Sequence, residues 1–337
     1  MIREAIGQIV SGQSLSMDEA AAVMEDIMSG RATPAQVAAF VTALRIKGET
    51  VAEITGLART MRLYARRVPV DGLTVDTCGT GGDAAGTFNI STVAAFVAAG
   101  AGLRVAKHGN RAMTSQCGSA DVLEALGVRI DLGPEEVGRC IEEAGIGFMF
   151  APVFHPAMKH AAVPRREIGI RTVFNILGPL TNPAGATAQL IGVADVSFAP
   201  VLAGVLQRLG CQHGLVVHGG GGLDELSTLG PSTIWDVTPE AVYSYSITPE
   251  ELGLARAGPG DIRGGTAAEN ATFVREVLEG APGPRRDVVL LNAAAAIVAG
   301  GLVDGLADGL RVAAESIDSG RAGQRLERLV EVSQSVG

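Results

Sequence analysis

From residue 71 onward the chain repeats one pattern: a short β-rich run, a turn dense in glycine, then an apolar, alanine-rich stretch with the length of a helix. The runs are Leu73 to Asp76, Leu103 to Lys107, Gly147 to Phe150, Gln189 to Val193 and Leu215 to His218. Alternation of this kind predicts a mostly parallel central sheet with helices on both faces. Two further runs, Thr233 to Val237 and Val242 to Ile247, are separated by a short link containing Pro239 and are expected to pair antiparallel at an edge.

Residues 1 to about 70 read as helices alone. Ser16 with Glu19, Thr33 with Gln36 and Thr50 with Glu53 have capping-box spacing, in which a hydroxyl takes one free amide and the side chain three residues on returns to another. Pro34 falls at a first helical position, and Gly30 and Gly48 fall where helices end in a left-handed residue. Val23, Met24, Ile27 and Met28 form one apolar stripe; Val37, Phe40, Val41, Leu44 and Ile46 are expected to form another. The fold class is therefore α/β, with a small all-helical domain (1–70) beside a larger sheet domain (71–337). The segment Arg165 to Pro183 reads as helical or irregular and is expected to rejoin the small domain over about 165–185.

Composition narrows the function. The 27 basic and 36 acidic residues leave a net charge of −9, and no local basic stripe offsets it, which argues against a nucleic-acid surface. The apolar stretch from Val288 to Val303 is interrupted by Asn292 and reads as a buried helix rather than a membrane span. The start MIREAIGQIV has no secretory pattern, and Cys78, Cys117, Cys140 and Cys211 show no CxxC spacing, so reduced thiols in a cytoplasm are expected.

Three segments carry chemistry. In VDTCGTGGDAAGTFNIST (75–92) a strand ends in Gly79, Gly81 and Gly82, and a helix begins near Ser91, which makes a nest of amides at a helix N-terminus and hence an anion site. Thr87, Asn89, Ser91 and Thr92 add donors for phosphate oxygens. Asp83 beside such a site calls for an intervening cation. In KHGNRAMTSQCGS (107–119), Lys107 and Arg111 supply positive charge, Gly109 permits close approach, Asn110 offers donor and acceptor, and Thr114, Ser115 and Ser119 form a second hydroxyl-rich pocket. In HGGGGLDELS (218–227) a glycine-rich turn presents Asp224 and Glu225, hard oxygen ligands suited to magnesium. An Asp-Glu pair after glycines is commonly a solvated turn, and the two phosphate loops upstream give this one its weight. His155 and His160, five apart, do not share a helical face and do not read as a metal pair.

Together these strings resemble the anthranilate phosphoribosyltransferase family across nearly the whole chain: GTGGD (79–83), TFNIST (87–92), KHGNR (107–111), GSADVLEALG (118–127), GIRTVFNILGPLTNPA (169–184), the HGGGGLDELS segment and LLNAAAA (290–296). The chain departs from the family pattern at Ala84, where glycine is usual, at Thr114 and Cys117, and in the order Pro164-Arg165. The resemblance implies phosphoribosyl transfer from phosphoribosyl pyrophosphate (PRPP) to anthranilate in tryptophan biosynthesis, with Mg2+, in a homodimer packed through the helical parts. By the same resemblance, Gly79, Gly82, Asp83, Thr87 and the run Asn89, Ile90, Ser91, Thr92 would bind PRPP. So would Lys107, His108, Gly109, Asn110, Arg111, Ala112, Met113, Thr114, Ser115 and Ser119. Gly79, His108, Asn110, Arg165, Gly178 and Pro179 would serve anthranilate, and Ser91, Asp224 and Glu225 the metal. No covalent nucleophile is implied: positioning and charge would carry the reaction. The alternative within the same fold is a pyrimidine nucleoside phosphorylase-like enzyme, and KHGNR and LDELS favour the transferase. A silent relative that binds nucleic acid conflicts with the acidic balance.

Overall fold

The structure, a computed structural model, describes residues 1–112 and 116–336. Four helices open the chain: α1 (Ile2–Val10), α2 (Met17–Met28), α3 (Pro34–Lys47) and α4 (Val51–Tyr64). All three expected capping boxes form, at the N-termini of α2, α3 and α4. There follow β1 (Val75–Gly79), α5 (Ile90–Gly100), β2 (Val105–Gly109), α6 (Ser119–Ala125), α7 (Pro134–Ala144) and β3 (Ile146–Phe150). The next stretch is helical: α8 (Ala151–Phe154), α9 (Lys159–Ile168) and α10 (Phe174–Leu180). It packs back on the opening helices, α9 against α2 and α3, α10 against α4. The chain then adds β4 (Ala188–Gly192), α11 (Ala199–Arg208), β5 (His213–His218), β6 (Ser232–Val237) and β7 (Val242–Ile247), and closes with α12 (Ala267–Leu278), α13 (Pro284–Ala299), α14 (Leu306–Asp318) and α15 (Arg321–Ser335).

Among the described residues seven strands form one sheet in the order β3-β2-β1-β4-β5-β6-β7. The first five are parallel; β6 and β7 add antiparallel at the edge, as their short link predicts. Alternate residues serve opposite faces. Ile191 and Val216 pack with Ile27, Leu44, Ile54 and Leu57 of the opening helices, with Leu177 of α10 and Leu206 of α11. Their neighbours Leu190, Leu215 and Val217 meet Leu291, Ala295 and Val298 of α13 on the other face. A larger cluster covers β2 and β3 with α5, α7 and α15. The architecture is a small helical domain beside an α/β domain with a mostly parallel sheet. The Val288–Val303 stretch is largely the buried α13, and no helix among the described residues is long and apolar enough to cross a membrane.

Two expectations are corrected. Ile46 is 81 % exposed rather than part of the α3 stripe, because it stands two residues after Leu44 and so on the far side of the helix. Strands β1 and β2 run two to three residues further than the apolar runs indicated, into the glycines of their turns: Gly79 pairs with Gly192, and Gly109 with Phe150.

Candidate active site

β2 and β3 lie on one side of β1, β4 and β5 on the other, so the order of the strands reverses between β1 and β4. In open α/β sheets the crevice beyond the carboxyl ends at such a switch point is where ligands bind. The loops after β1, β2 and β5, which are the three segments singled out from the sequence, all leave this edge.

The loop after β5 delivers Asp224 against the glycine loop. Its Oδ2 accepts the Gly81 amide at 2.6 Å. A Cβ on Gly79 would overlap the Asp224 carboxylate, and one on Gly192 would overlap the Asp224 carbonyl, so two glycines in register across β1 and β4 make the room this residue occupies. Gly81, Gly82 and Gly86 take positive φ, and so does Ala84 at φ 55°. A methyl-bearing residue there stores about 1 kcal/mol of strain in the loop. Glu225 sits at the start of α5, where its Oε1 accepts the Ser91 amide at 3.2 Å and its carboxyl also meets the Ser91 side chain. Burial raises Asp224 to about 7, with Asp83 adding like charge. Burial raises Glu225 to about 8, with Asp224 adding like charge and Lys107 opposing. Crowded acids of this kind, without an ion pair among the described residues, call for a cation.

Further donors and acceptors frame the loop. Asn89, ahead of α5, donates to Cys117 O at 3.2 Å and accepts from Asn270 Nδ2 at 2.9 Å, tying the loop after β1 to the loop after β2 and to α12. Thr92 Oγ1 is buried without a partner among the described residues. Thr87 forms an isolated antiparallel bridge with Arg263, which anchors the far side of the loop.

On the β2 side, Lys107 is buried and its Nζ donates to Thr77 O at 2.5 Å. Burial lowers its pKa, and Asp76, Cys78 and Glu225 oppose that shift. Asp76, fully buried, accepts the His108 amide at 3.2 Å and Asn182 Nδ2 at 2.7 Å; Asn182 also donates to Ala106 O at 2.8 Å. His108 Nδ1 faces Gly178 O at 3.2 Å and Gln189 Nε2 donates to Pro179 O at 2.9 Å, so the end of α10 is tied to the sheet. The rings of His108 and His155 lie 5.0 Å apart, and the Nε2 of each is buried without a partner among the described residues. Burial lowers His108 to about 3 and His155 to about 4, so both are neutral near pH 7.

Other expected site residues are placed differently. The Arg111 guanidinium is taken by Asp121 at 2.9 Å and Glu124 at 2.8 Å, both on α6, so its charge is largely spent within the protein. Asn110 Oδ1 accepts the Arg111 amide, its carbonyl accepts Ser119 Oγ at 3.3 Å, and Ala112 N donates to Asp121. Gly109 has no room for a Cβ because Ser119 Oγ lies there. Met113, Thr114 and Ser115 lie outside the described residues. Arg165 lies over the Phe174 ring of α10 at 5.3 Å, close in sequence to Gly178 and Pro179, and forms no ion pair among the described residues. Sequence reasoning missed Asp76, Asn182 and Asn270, whose partners lie far along the chain, and Gln189, whose partner Pro179 lies at the end of the preceding helix. It also missed Arg171, whose Nη2 donates to Thr80 O at 3.0 Å and whose guanidinium covers Gly82. Arg171 lines a cleft of about 340 Å³ at the switch point, with Thr80, Gly82, Asp83, Asp195 and, from the helical part, Arg45.

The donor set suits a hard divalent ion that shares its shell with a ligand. Asp224, Glu225 and the Ser91 hydroxyl converge, whereas no cluster of three His, Cys, Asp or Glu able to hold a metal occurs among the described residues. Magnesium with one or two carboxylates, completed by phosphate oxygens, is bound in this way.

Comparison with known proteins agrees with this geometry. The glycosyl transferase family a/b domain matches residues 71–323, and the helical bundle domain of the same family matches residues 3–65. The anthranilate phosphoribosyltransferase of Chloroflexus aggregans is 61% identical over 99% of this chain and 98% of its own length. The crystal structure of the Thermus thermophilus anthranilate phosphoribosyltransferase superposes with a TM-score of 0.93 at 47% identity, covering 98% of this chain and 99% of that one. The Saccharomyces cerevisiae enzyme in complex with PRPP and Mg has a TM-score of 0.92 at 29% identity, covering 99% of this chain and 98% of that one. Identity of this level along the entire chain, on the same two-part fold, places it in the anthranilate phosphoribosyltransferase family.

Proposed function

We propose that the protein transfers the phosphoribosyl group of PRPP to the amine of anthranilate, giving N-(5-phosphoribosyl)anthranilate and pyrophosphate on the route to tryptophan. The observation that carries the reading is the convergence of Asp224 and Glu225 on the glycine loop and on the first turn of α5. Two carboxylates against an anion-binding nest are repulsive for a phosphate unless a cation joins them. A substrate bearing pyrophosphate and Mg2+ resolves that conflict.

In this reading Gly79, Gly82, Asp83, Thr87 and Asn89 to Thr92 receive PRPP from the β1 side, and Lys107 to Ser115 with Ser119 from the β2 side. Asp224, Glu225 and Ser91 would hold Mg2+, which when bound supplies positive charge to the departing pyrophosphate. The chain's own part is orientation. The anthranilate amine is neutral near pH 7 and attacks the anomeric carbon with inversion; a C–N bond forms as the C–O bond to pyrophosphate breaks, and the nitrogen then sheds a proton. His108, kept neutral by burial, adds no like charge near the cationic sugar. Arg165, with no carboxylate partner among the described residues, is suited to the anthranilate carboxylate, and Asn110, Gly79, Gly178 and Pro179 complete that side.

The reading extends to organisation. The helical unit comprises 1–70 with about 165–185, and the α/β unit the rest of 71–337; the packing of α9 and α10 on α2, α3 and α4 supports this division. A homodimer through the helical unit is supported by Val10, Ile46 and Leu63, large apolar side chains exposed on those helices. A cytoplasmic location fits the spacing of Cys78, Cys117, Cys140 and Cys211, which are few and show no CxxC pair.

The test is the loss of anthranilate fluorescence on adding PRPP and Mg2+ to the purified protein, with controls lacking each component. Turnover that needs both is expected. A folded, PRPP-binding protein that leaves anthranilate unchanged would move the acceptor to another amine.

A further inference from the structure

Within α13 every residue from Val288 to Ala299 is buried, and Asn292 is the polar one among them. A primary amide in such surroundings is costly unless its groups are paired. Asn292 pairs almost wholly with the backbone of one distant residue, Leu226. Its Oδ1 accepts the Leu226 amide at 2.9 Å, its Nδ2 donates to Leu226 O at 2.8 Å, and the second hydrogen goes to Val288 O at 2.9 Å within the helix. The side chain thus acts toward Leu226 as a neighbouring strand would, offering one acceptor and one donor.

Leu226 directly follows Glu225. On the other side of the acids, Leu223 is held by reciprocal backbone bonds with Gly219, at 2.9 and 3.2 Å. Asp224 and Glu225 are the only two residues between these anchors. The upstream anchor is local, made by a glycine turn, whereas the downstream one comes from a helix sixty-six positions away.

We propose that Asn292 is a positioning residue for the cation-holding carboxylates: by clamping the N–H and C=O of Leu226 from α13, it sets the backbone from which Asp224 and Glu225 project. This rests on the reading that these two residues hold Mg2+. A purely structural role would give the same hydrogen bonds and the same loss of stability on substitution, but no change in metal affinity of the folded protein. Metal-site supports that do not touch the metal commonly change affinity about 10- to 100-fold when removed.

The experiment uses the full chain with PRPP and without anthranilate, titrated with Mn2+ and read by electron paramagnetic resonance, so no turnover is involved. Asn292→Ala is expected to bind Mn2+ about tenfold more weakly than the wild type, and Asn292→Ser, which keeps one hydroxyl for Leu226, by an intermediate factor. Asn292→Ser also serves if the alanine variant does not fold. Ser316→Ala deletes another buried side-chain bond, to Val97 O at 2.8 Å, and is expected to lower the melting temperature while leaving Mn2+ affinity unchanged. Folded Asn292 variants that bind Mn2+ within twofold of wild type would overturn the inference. Failure of the underlying reading looks different: the wild type would not bind Mn2+ with PRPP, or the double variant Asp224→Asn with Glu225→Gln would bind it as well as wild type.

Discussion

Gly79 and Gly192 show how a missing side chain can be the functional feature. They pair across β1 and β4, and each lacks a Cβ where Asp224 lies. Gly79→Ala is expected to lower kcat/KM about 100-fold, since the methyl would push the carboxylate by an amount on the order of 1 Å. Steady-state kinetics with a melting curve checks this. Gly7→Ala, at an exposed helical position with open space around it, should leave the rate unchanged. Arg165 is a second residue whose effect should be selective. It has no anionic partner among the described residues and loses part of its hydration by burial, so an incoming carboxylate meets little competition. Arg165→Ala is expected to raise the KM for anthranilate about tenfold or more, with the KM for PRPP little changed. An unchanged anthranilate KM in a folded variant would remove Arg165 from that site.

The opening helices depend on their N-termini, and the three capping boxes are not equivalent. Thr33 with Gln36 is an exposed cap on α3, and Thr33→Ala should cost about 1 kcal/mol. In the third box Glu53 is fully buried. Its carboxylate accepts the Leu15 amide at 2.9 Å, the Thr50 amide at 2.8 Å and Lys47 Nζ at 3.0 Å, so it joins the α1–α2 link, the α3–α4 link and α4. Removing one partner of a buried pair leaves the other uncompensated, and Glu53→Ala should cost about 3 kcal/mol or more. Urea unfolding midpoints would compare the two. Equal losses would mean that Glu53 serves only as a cap.

At the scale of the whole molecule, the buried histidines couple stability to pH. His108 and His155 titrate near 6.5 when unfolded but are lowered to about 3 and about 4 in the fold, chiefly by burial. Because the folded-state values are depressed, the unfolded chain binds protons first as the pH falls. Their stabilising contribution is therefore complete above about pH 6.5 and is lost between there and about 3 to 4, at up to about 1.4 kcal/mol per pH unit for each group. His155 further disfavours protonation of His108, and Lys107 adds to this. Over pH 6.5 to 4.5 this loss is opposed by Asp224 and Glu225, whose raised values stabilise the fold as the pH falls, so the histidine effect is read from the variant: His155→Gln should raise the melting temperature at pH 4.5 relative to that at pH 6.5, compared with the wild type. Differential scanning calorimetry across this range is the check, and an unchanged slope in the variant would exclude His155 as a source.

The parallel sheet, the helical opening, the three caps and the glycine loops were all legible in the sequence. Each is governed by residues within a few positions: strand or helix periodicity, a hydroxyl three residues before a carboxyl, a glycine where φ must be positive. Loops leaving neighbouring strands also made the meeting of the GTGGD and KHGN segments predictable. The rest depended on partners brought from afar. Asp76 with Asn182, Asn292 with Leu226 and Arg171 with Thr80 are pairs whose members carry no local sign of each other. Arg111 read as a free charge because the acids that neutralise it lie on the helix following its loop. Local sequence thus determined which elements form and where the backbone turns, since those choices depend on short-range sterics and hydrogen bonding. Only the tertiary structure decided which buried polar groups are paired and which remain available for chemistry, because desolvation and electrostatic pairing act through space, between atoms that only folding brings together.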